Sequence, residues 1–240
     1  MTHPPLKAVI VVIPVHNEEA LLPRCLRAVD DALSVARLGP RTPPKISVHV
    51  VLDACTDSSE ALVSASPYDS VAAEFNNVGQ ARALGVQRGI EAHAAVDARS
   101  LWIATTDADS SVPENWLSEQ IELARCGADL MIGTVRPDFA DLTLAQRDAW
   151  AQTHTPGTAN GHVHGANLGF RAHRYLQAGG FPALPEHEDV QLVAAFRTLP
   201  GLVEVATDEC WVLTSGRGVG RTPGGYASYL KNDLIASAQH

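Results

Sequence analysis

Hydrophobic and polar positions fall into two alternating textures over the first 135 residues. Residues 8–15 read AVIVVIPV, a nearly unbroken β-branched run of the kind that forms a strand buried on both faces. Residues 18–37 come next, with Leu21, Leu22, Leu26, Val29, Leu33 and Val35 mostly at helical spacing, so a helix with one apolar stripe is expected there. The alternation repeats, predicting strands over 46–52, 71–75, 101–106 and 129–135. Helices are expected over 57–64 and 79–93, and after Pro113, a residue tolerated in a first helical turn. Regular alternation of strand and helix predicts an α/β fold with a mainly parallel sheet.

Beyond residue 135 the texture changes. Residues 140–150 read as a helix, and 154–165 (HTPGTANGHVHG) as a loop rich in His and Gly. Two helices (172–178 and 186–199) and two strand-like runs (202–206 and 211–214) precede a Gly/Arg segment at 215–225. A last helix starts near Tyr226 and packs either on its own domain or on a second chain, as in a homodimer. Residues 39–44 (GPRTPP) read as a surface loop rather than a linker, and there is no internal repeat. The expected organisation is one domain, 1–240, with residues 1–135 forming one half and 136–240 the other.

Composition narrows the chemistry. Lys plus Arg number 18 against 27 for Asp plus Glu, a net charge of −9, the wrong balance for a nucleic-acid binder. An acidic chain that takes a phosphorylated small molecule needs a local device: a bound cation, a few arginines or a helix N-terminus. Cys25, Cys55, Cys126 and Cys210 form no C-x-x-C pair, which argues against a zinc ribbon or redox dithiol and for small buried hydrophobes in a reducing compartment. No apolar run approaches the roughly 18 residues a membrane helix needs, and the N-terminal residues lack a signal-peptide pattern, so a cytoplasmic location is expected.

In an open α/β sheet, ligands gather at the C-terminal ends of the strands. There the sequence places His16-Asn17-Glu18-Glu19 after the first strand, Asp53 to Asp57 after the second, and Asp107-Ala108-Asp109 after the fourth. Asp53 and Asp57 each suit the cap of a nearby helix, but one cap needs one side chain, which leaves the Asp107/Asp109 pair unexplained. A divalent cation such as Mg²⁺ or Mn²⁺, holding a diphosphate, accounts for carboxylates crowded on one rim.

These residues resemble a known family. VVIPVHNEEALLPRCLRAV, VVLDACTDSS, NNVGQARALGV, TTDADSSVPENWL, GANLGFRAHRYLQAGGF and HEDVQL are similar, in order, to the motifs of family 2 glycosyltransferases with the GT-A nucleotide-diphospho-sugar fold. The likeness spans about residues 9–192. It implies a GT-A type, Rossmann-like, mainly parallel sheet flanked by helices, with a nucleotide-sugar-binding half and a smaller C-terminal half for the acceptor and the catalytic base. It implies that Pro14 and Glu18 shape the nucleotide pocket, Asp53 accepts from base or ribose, and Arg82 faces the nucleotide-sugar. Asp107 would touch the ribose, with Asp109 the main metal ligand for Mn²⁺ or Mg²⁺.

The resemblance also implies that the Gly165-Ala166-Asn167 turn lines the sugar and acceptor pocket. In the Glu188-Asp189 pair, Asp189 would be the general base that deprotonates the acceptor hydroxyl. His154, His162 and His164 are candidates for a further metal ligand, with His164 preferred, and the alternating His162/His164 pair also suits zinc. Arg217 and Arg221 lie where the family has a flexible loop and would clamp the diphosphate.

The implied activity is metal-assisted transfer of a sugar from a nucleotide-diphosphate donor to a hydroxyl acceptor, with inversion. A retaining transferase of a related GT-A family is the first alternative. A non-catalytic nucleotide-sugar-binding module ranks lower because Asp189 is present. A nucleotidyltransferase ranks last, since the first strand leads into no Gly-rich, Lys-bearing loop.

Overall fold

The computed structural model describes residues 4–38, 42–184, 186–220 and 224–238. Its eight strands are β1 (Ala8–Val15), β2 (Lys45–Asp53), β3 (Asp69–Ala73), β4 (Leu101–Thr105), β5 (Ser110–Ser111), β6 (Leu130–Pro137), β7 (Leu168–Arg171) and β8 (Glu204–Thr214). The main helices are α1 (Leu22–Arg37), α2 (Ser59–Ser64), α3 (Val78–Ala92), α4 (Trp116–Arg125), α5 (Leu144–Thr153), α6 (Ala172–Ala178) and α7 (Glu188–Arg197). The C-terminal helical segment runs as α8 (Tyr226–Ser228), a π-helical turn (Tyr229–Asp233) and α9 (Leu234–Ser237).

The strands form one sheet in the order β3-β2-β1-β4-β7-β6-β8-β5. β3, β2, β1 and β4 are parallel, β7 is antiparallel to both β4 and β6, and β8 is parallel to β6. All strands but β7 and β5 therefore point one way, as the alternating pattern predicts. The reversal of β7 has a consequence for function: its N-terminal end lies at the same sheet edge as the C-terminal ends of the others.

The eight β1 side chains are all buried and alternate between the two faces of the sheet. Val9, Val11, Ile13 and Val15 join the α1 and α4 side with Leu22, Val29 and Trp116. Ala8, Ile10 and Val12 join the opposite side with Val86 of α3, Phe170 of β7 and Phe196 of α7. Burial of each large apolar side chain contributes about 1.5–3 kcal/mol relative to exposure. Helix α3 comes close to the sheet through glycines: a Cβ on Gly85 would lie 2.5 Å from Val12 Cγ1, and one on Gly89 would collide with the Ile10 side chain. A third, smaller cluster joins Leu142, Ala149 and Trp150 to Leu230 and Leu234, so the C-terminal segment packs on its own chain.

Several expectations need correction. The third strand, β3, starts two residues earlier than predicted, at Asp69. Strands β5 and β7 were not foreseen, because two and four residues are too few to show a period. The runs at 202–206 and 211–214 belong to one strand, β8, which pairs along β6 across an irregularity between Gly133 and Val135. The helix expected from residue 140 starts at Leu144, where Thr143 and Gln146 form a reciprocal capping box. Of the cysteines, all free, Cys25 and Cys210 are buried as expected, but Cys55 is half-buried and Cys126 exposed.

Candidate active site

The strand ends open onto a cleft of about 770 Å³, within the usual range for a small-molecule site. Its wall brings together Pro14, Glu18, Asp53, Arg82, Asp107, Asp109, His164, Gly165, Ala166, Glu188, Asp189 and Arg217. Arg221 lies outside the described residues.

Two ion-pair groups organise the floor. The buried Arg82 guanidinium pairs with Glu188 through Nη1 and with Asp107 through Nη2, linking α3, the start of α7 and the end of β4. Gly165 makes room for it, because a Cβ there would collide with the guanidinium. Arg217 Nη2 donates to Glu18 Oε1 and to Asp109 Oδ2, each at 2.8 Å, and its Nη1 lies 3.3 Å from Glu18 Oε2. The short β5–β8 pairing sets this geometry: it joins Ser110 to Thr214, and Ser215 N–H donates to the Asp109 carbonyl at 3.2 Å. Burial, reinforced by the charge of Asp107 and opposed by Arg217, pushes the Asp109 carboxyl above the usual carboxylate range.

Among the described residues these groups hold four carboxylates against two guanidiniums, a formal excess of two negative charges. That excess, on hard oxygen donors, fits a divalent cation bound by one or two carboxylates with substrate phosphates completing its shell. Asp109, with Asp107 nearby, would hold it. Among the described residues no three His, Cys, Asp or Glu side chains converge as a ready-made metal cage, and His164 lines the same cleft as the two aspartates. Burial, only partly offset by the charge of Asp189, pushes the His164 imidazole down to about 4, which leaves the ring neutral at ordinary pH.

Asp189 sits in the first turn of α7, after His187 in the left-handed region (φ 61°). Its Oδ2 accepts from Gly165 N–H at 2.6 Å and its Oδ1 from Val190 N–H at 2.7 Å, so both oxygens are oriented by backbone donors. The other non-glycine residues with positive φ among the described ones are Asn17, Ala54 and Asn76, each in a loop just past a strand end. Backbone strain concentrated around a cleft is a common accompaniment of function.

Two expected contacts take a different form. Asp53 borders the cleft, but its carboxylate accepts from the N–H groups of Phe75, Asn76 and Asn77 at 2.7–2.9 Å and so anchors the loop leading to α3. Asn167 does not reach the cleft. It is fully buried, with Nδ2 donating to the carbonyls of Thr134 (3.0 Å) and Cys210 (2.9 Å) and Oδ1 accepting from Trp116 Nε1 (2.9 Å), tying β6, β8 and α4 together. Asp57 lies one residue before Ser58, the N-cap of α2, and accepts from Ser59 N–H at 3.0 Å.

His16, placed by the sequence at the first strand end without a role, has its Nδ1 2.6 Å from the Asp53 carbonyl oxygen; Tyr226, seen only as the start of the last helix, meets the His164 ring edge-on at 5.2 Å. Asn76 and Asn77, inside the NNVG motif, also line the cleft. The motif was the available signal for them; Tyr226 had none.

Known proteins share this sequence pattern and this fold. The curated relative undecaprenyl-phosphate 4-deoxy-4-formamido-L-arabinose transferase of Klebsiella pneumoniae (strain 342) is 32% identical over 146 residues, covering 59% of this chain and 40% of that protein. The chain thus spans well under half the length of the curated relative it matches. Among solved structures, S. aureus TarS 1–349 in complex with UDP aligns with a TM-score of 0.62 at 16% identity, over 97% of this chain and 65% of that one. Glucosyl-3-phosphoglycerate synthase from Mycobacterium tuberculosis, in complex with Mn²⁺, UDP and glucosyl-3-phosphoglycerate, aligns with a TM-score of 0.53 at 16% identity, over 97% and 80%. These likenesses establish the GT-A fold. The profile of Glycosyl transferase family 2 matches residues 10–176, and the chain belongs to that family.

Proposed function

We propose that this protein transfers a sugar from a UDP-sugar to a hydroxyl acceptor, with inversion at the anomeric carbon and a divalent cation at the diphosphate. The observation that carries the reading is the joining, in one cleft, of a cation-seeking carboxylate rim at Asp107/Asp109 with the backbone-oriented carboxylate of Asp189. The structural neighbours bound to UDP support the choice of nucleotide, and those bound with Mg²⁺ or Mn²⁺ support the cation.

In this reading Pro14, Glu18 and the loop anchored by Asp53 hold the nucleoside. When bound, Mn²⁺ or Mg²⁺ on Asp109 neutralises charge as it grows on the leaving diphosphate. Arg217, already beside Asp109, is the cation the chain itself brings to the same end. Arg82 fixes Glu188 and so the start of α7, which sets the place of Asp189. Asp189 takes the acceptor proton during attack, since a hydroxyl is a poor nucleophile without a base. Four free cysteines accord with reaction in a reducing cytoplasm.

The test is Asp189→Asn. UDP release from UDP-sugars is expected to fall by a factor of about 10²–10⁴, the usual worth of a general base, with UDP affinity unchanged. Unchanged turnover would remove Asp189 from the chemistry.

A further inference from the structure

A second cavity, of about 290 Å³, lies beneath the 154–165 loop, between that loop, α5, β6 and β8. It adjoins the main cleft, because His154 and His162 line both. The His162 ring lies 6.4 Å from that of His164, whose imidazole feels the charge of Asp189. The second cavity therefore lies on the base side of the cleft.

Its lining is polar, balanced and incompletely satisfied. Asp208, at the floor, accepts from Arg136 Nη2 at 2.5 Å and from Gly157 N–H at 2.7 Å, both on Oδ2. Arg136 is the only Lys or Arg on the lining among the described residues, so its charge is already neutralised by that pair. Its guanidinium stacks over Trp211 at 4.3 Å, yet its buried Nε has no hydrogen-bond partner. Asn160 Nδ2 is likewise buried without a partner, while its Oδ1 accepts from His162 N–H at 3.0 Å. Buried donors left over in a folded protein mark places where a ligand or water supplies the acceptor. The stacked Trp150 and His154 rings, 4.3 Å apart and 6° from parallel, add a flat apolar wall.

We propose that this cavity receives the acceptor, and that the part it recognises is an uncharged, polyhydroxylated group of about monosaccharide size. Hydroxyls both donate and accept, which matches a lining that offers spare donors beside a carboxylate. A phosphate or carboxylate would meet Asp208 with no unpaired cation to offset the repulsion. The volume is at the lower end of the roughly 300–1,000 Å³ typical of ligand pockets. The proposal deepens the transferase reading above and rests on it.

Saturation-transfer NMR on the whole chain with UDP and Mg²⁺ tests it, using methyl glycosides of glucose, galactose, mannose and N-acetylglucosamine against glucose 6-phosphate and mannose 6-phosphate. At least one methyl glycoside is expected to bind, with its dissociation constant raised tenfold or more by Asp208→Asn and by Asn160→Ala, and with UDP binding equal in all three proteins. Asn160→Ala, which leaves the Arg136–Asp208 pair intact, serves if Asp208→Asn folds poorly. Binding of the sugar phosphates alone, equal glycoside binding in the variants, or UDP binding with no glycoside bound would each overturn it. Failure of the wild-type chain to bind UDP would instead bring down the donor reading, and this proposal with it.

Discussion

At the scale of single residues, motif membership and chemical role separate cleanly. Asp109 and Asn167 both stand inside family motifs, yet one faces the cleft beside charged neighbours and the other is sealed in the core by three hydrogen bonds. Asn167→Ala should therefore act on stability. It strands a buried indole N–H and two buried carbonyls, and each unsatisfied group costs about 1–3 kcal/mol. Urea denaturation is expected to show a loss of about 3 kcal/mol or more, with the UDP dissociation constant nearly unchanged. A weakened UDP affinity without loss of stability would return Asn167 to the site. The distinction was invisible in the sequence, because GANLGF gives no sign of which amide turns inward.

Elements show where sequence patterns suffice and where they fail. Strand β1 and helix α6 have the ends the hydrophobic pattern predicts, since each carries a full period of its own. Strands β5 and β7 are made by their partners: in β7, four residues containing a glycine become a strand because β4 and β6 offer hydrogen bonds on both sides. Most of the site was legible for the same reason that β1 was, in that the loops leaving the strands gather at one sheet edge. The second cavity was not, since it depends on the path of a loop with no period.

Helix α3 gives an element-scale prediction. Its glycines bring the helix close enough to the sheet to carry Arg82 into the floor of the cleft. Gly85→Ala would drive a Cβ against Val12, and overpacking of this kind costs about 1–3 kcal/mol. The stability loss should be measurable in denaturant. Full stability in the variant would show that α3 has room to move from the sheet.

For the whole molecule, several histidines are held low by burial: His49, His93 and His154 lie below their ordinary value, and His164 near 4. Near pH 6.5 and below, the unfolded chain takes up protons that the folded chain refuses, so stability rises with pH across this window and falls on acidification. Asp109 and Glu119, both raised by burial, work in the opposite sense as pH rises above the usual carboxylate range, but they are two groups against four. The melting temperature should drop between pH 7 and pH 5. His49→Gln, far from the cleft, should flatten the slope by at most about 1.4 kcal/mol per pH unit. A melting temperature that rises on acidification would contradict the sign.

In the proposed donor complex a nucleoside diphosphate and a divalent cation bind together on the carboxylate rim at the strand ends. The most direct measurement is calorimetric titration of UDP into the wild-type chain with Mn²⁺, with EDTA, and into Asp109→Ala with Mn²⁺. UDP is expected to bind with Mn²⁺ and to bind more weakly by a factor of about 10 or more, equivalent to some 1.4 kcal/mol, both when the metal is removed and when Asp109 is lost. Equal UDP affinity in all three titrations would contradict it.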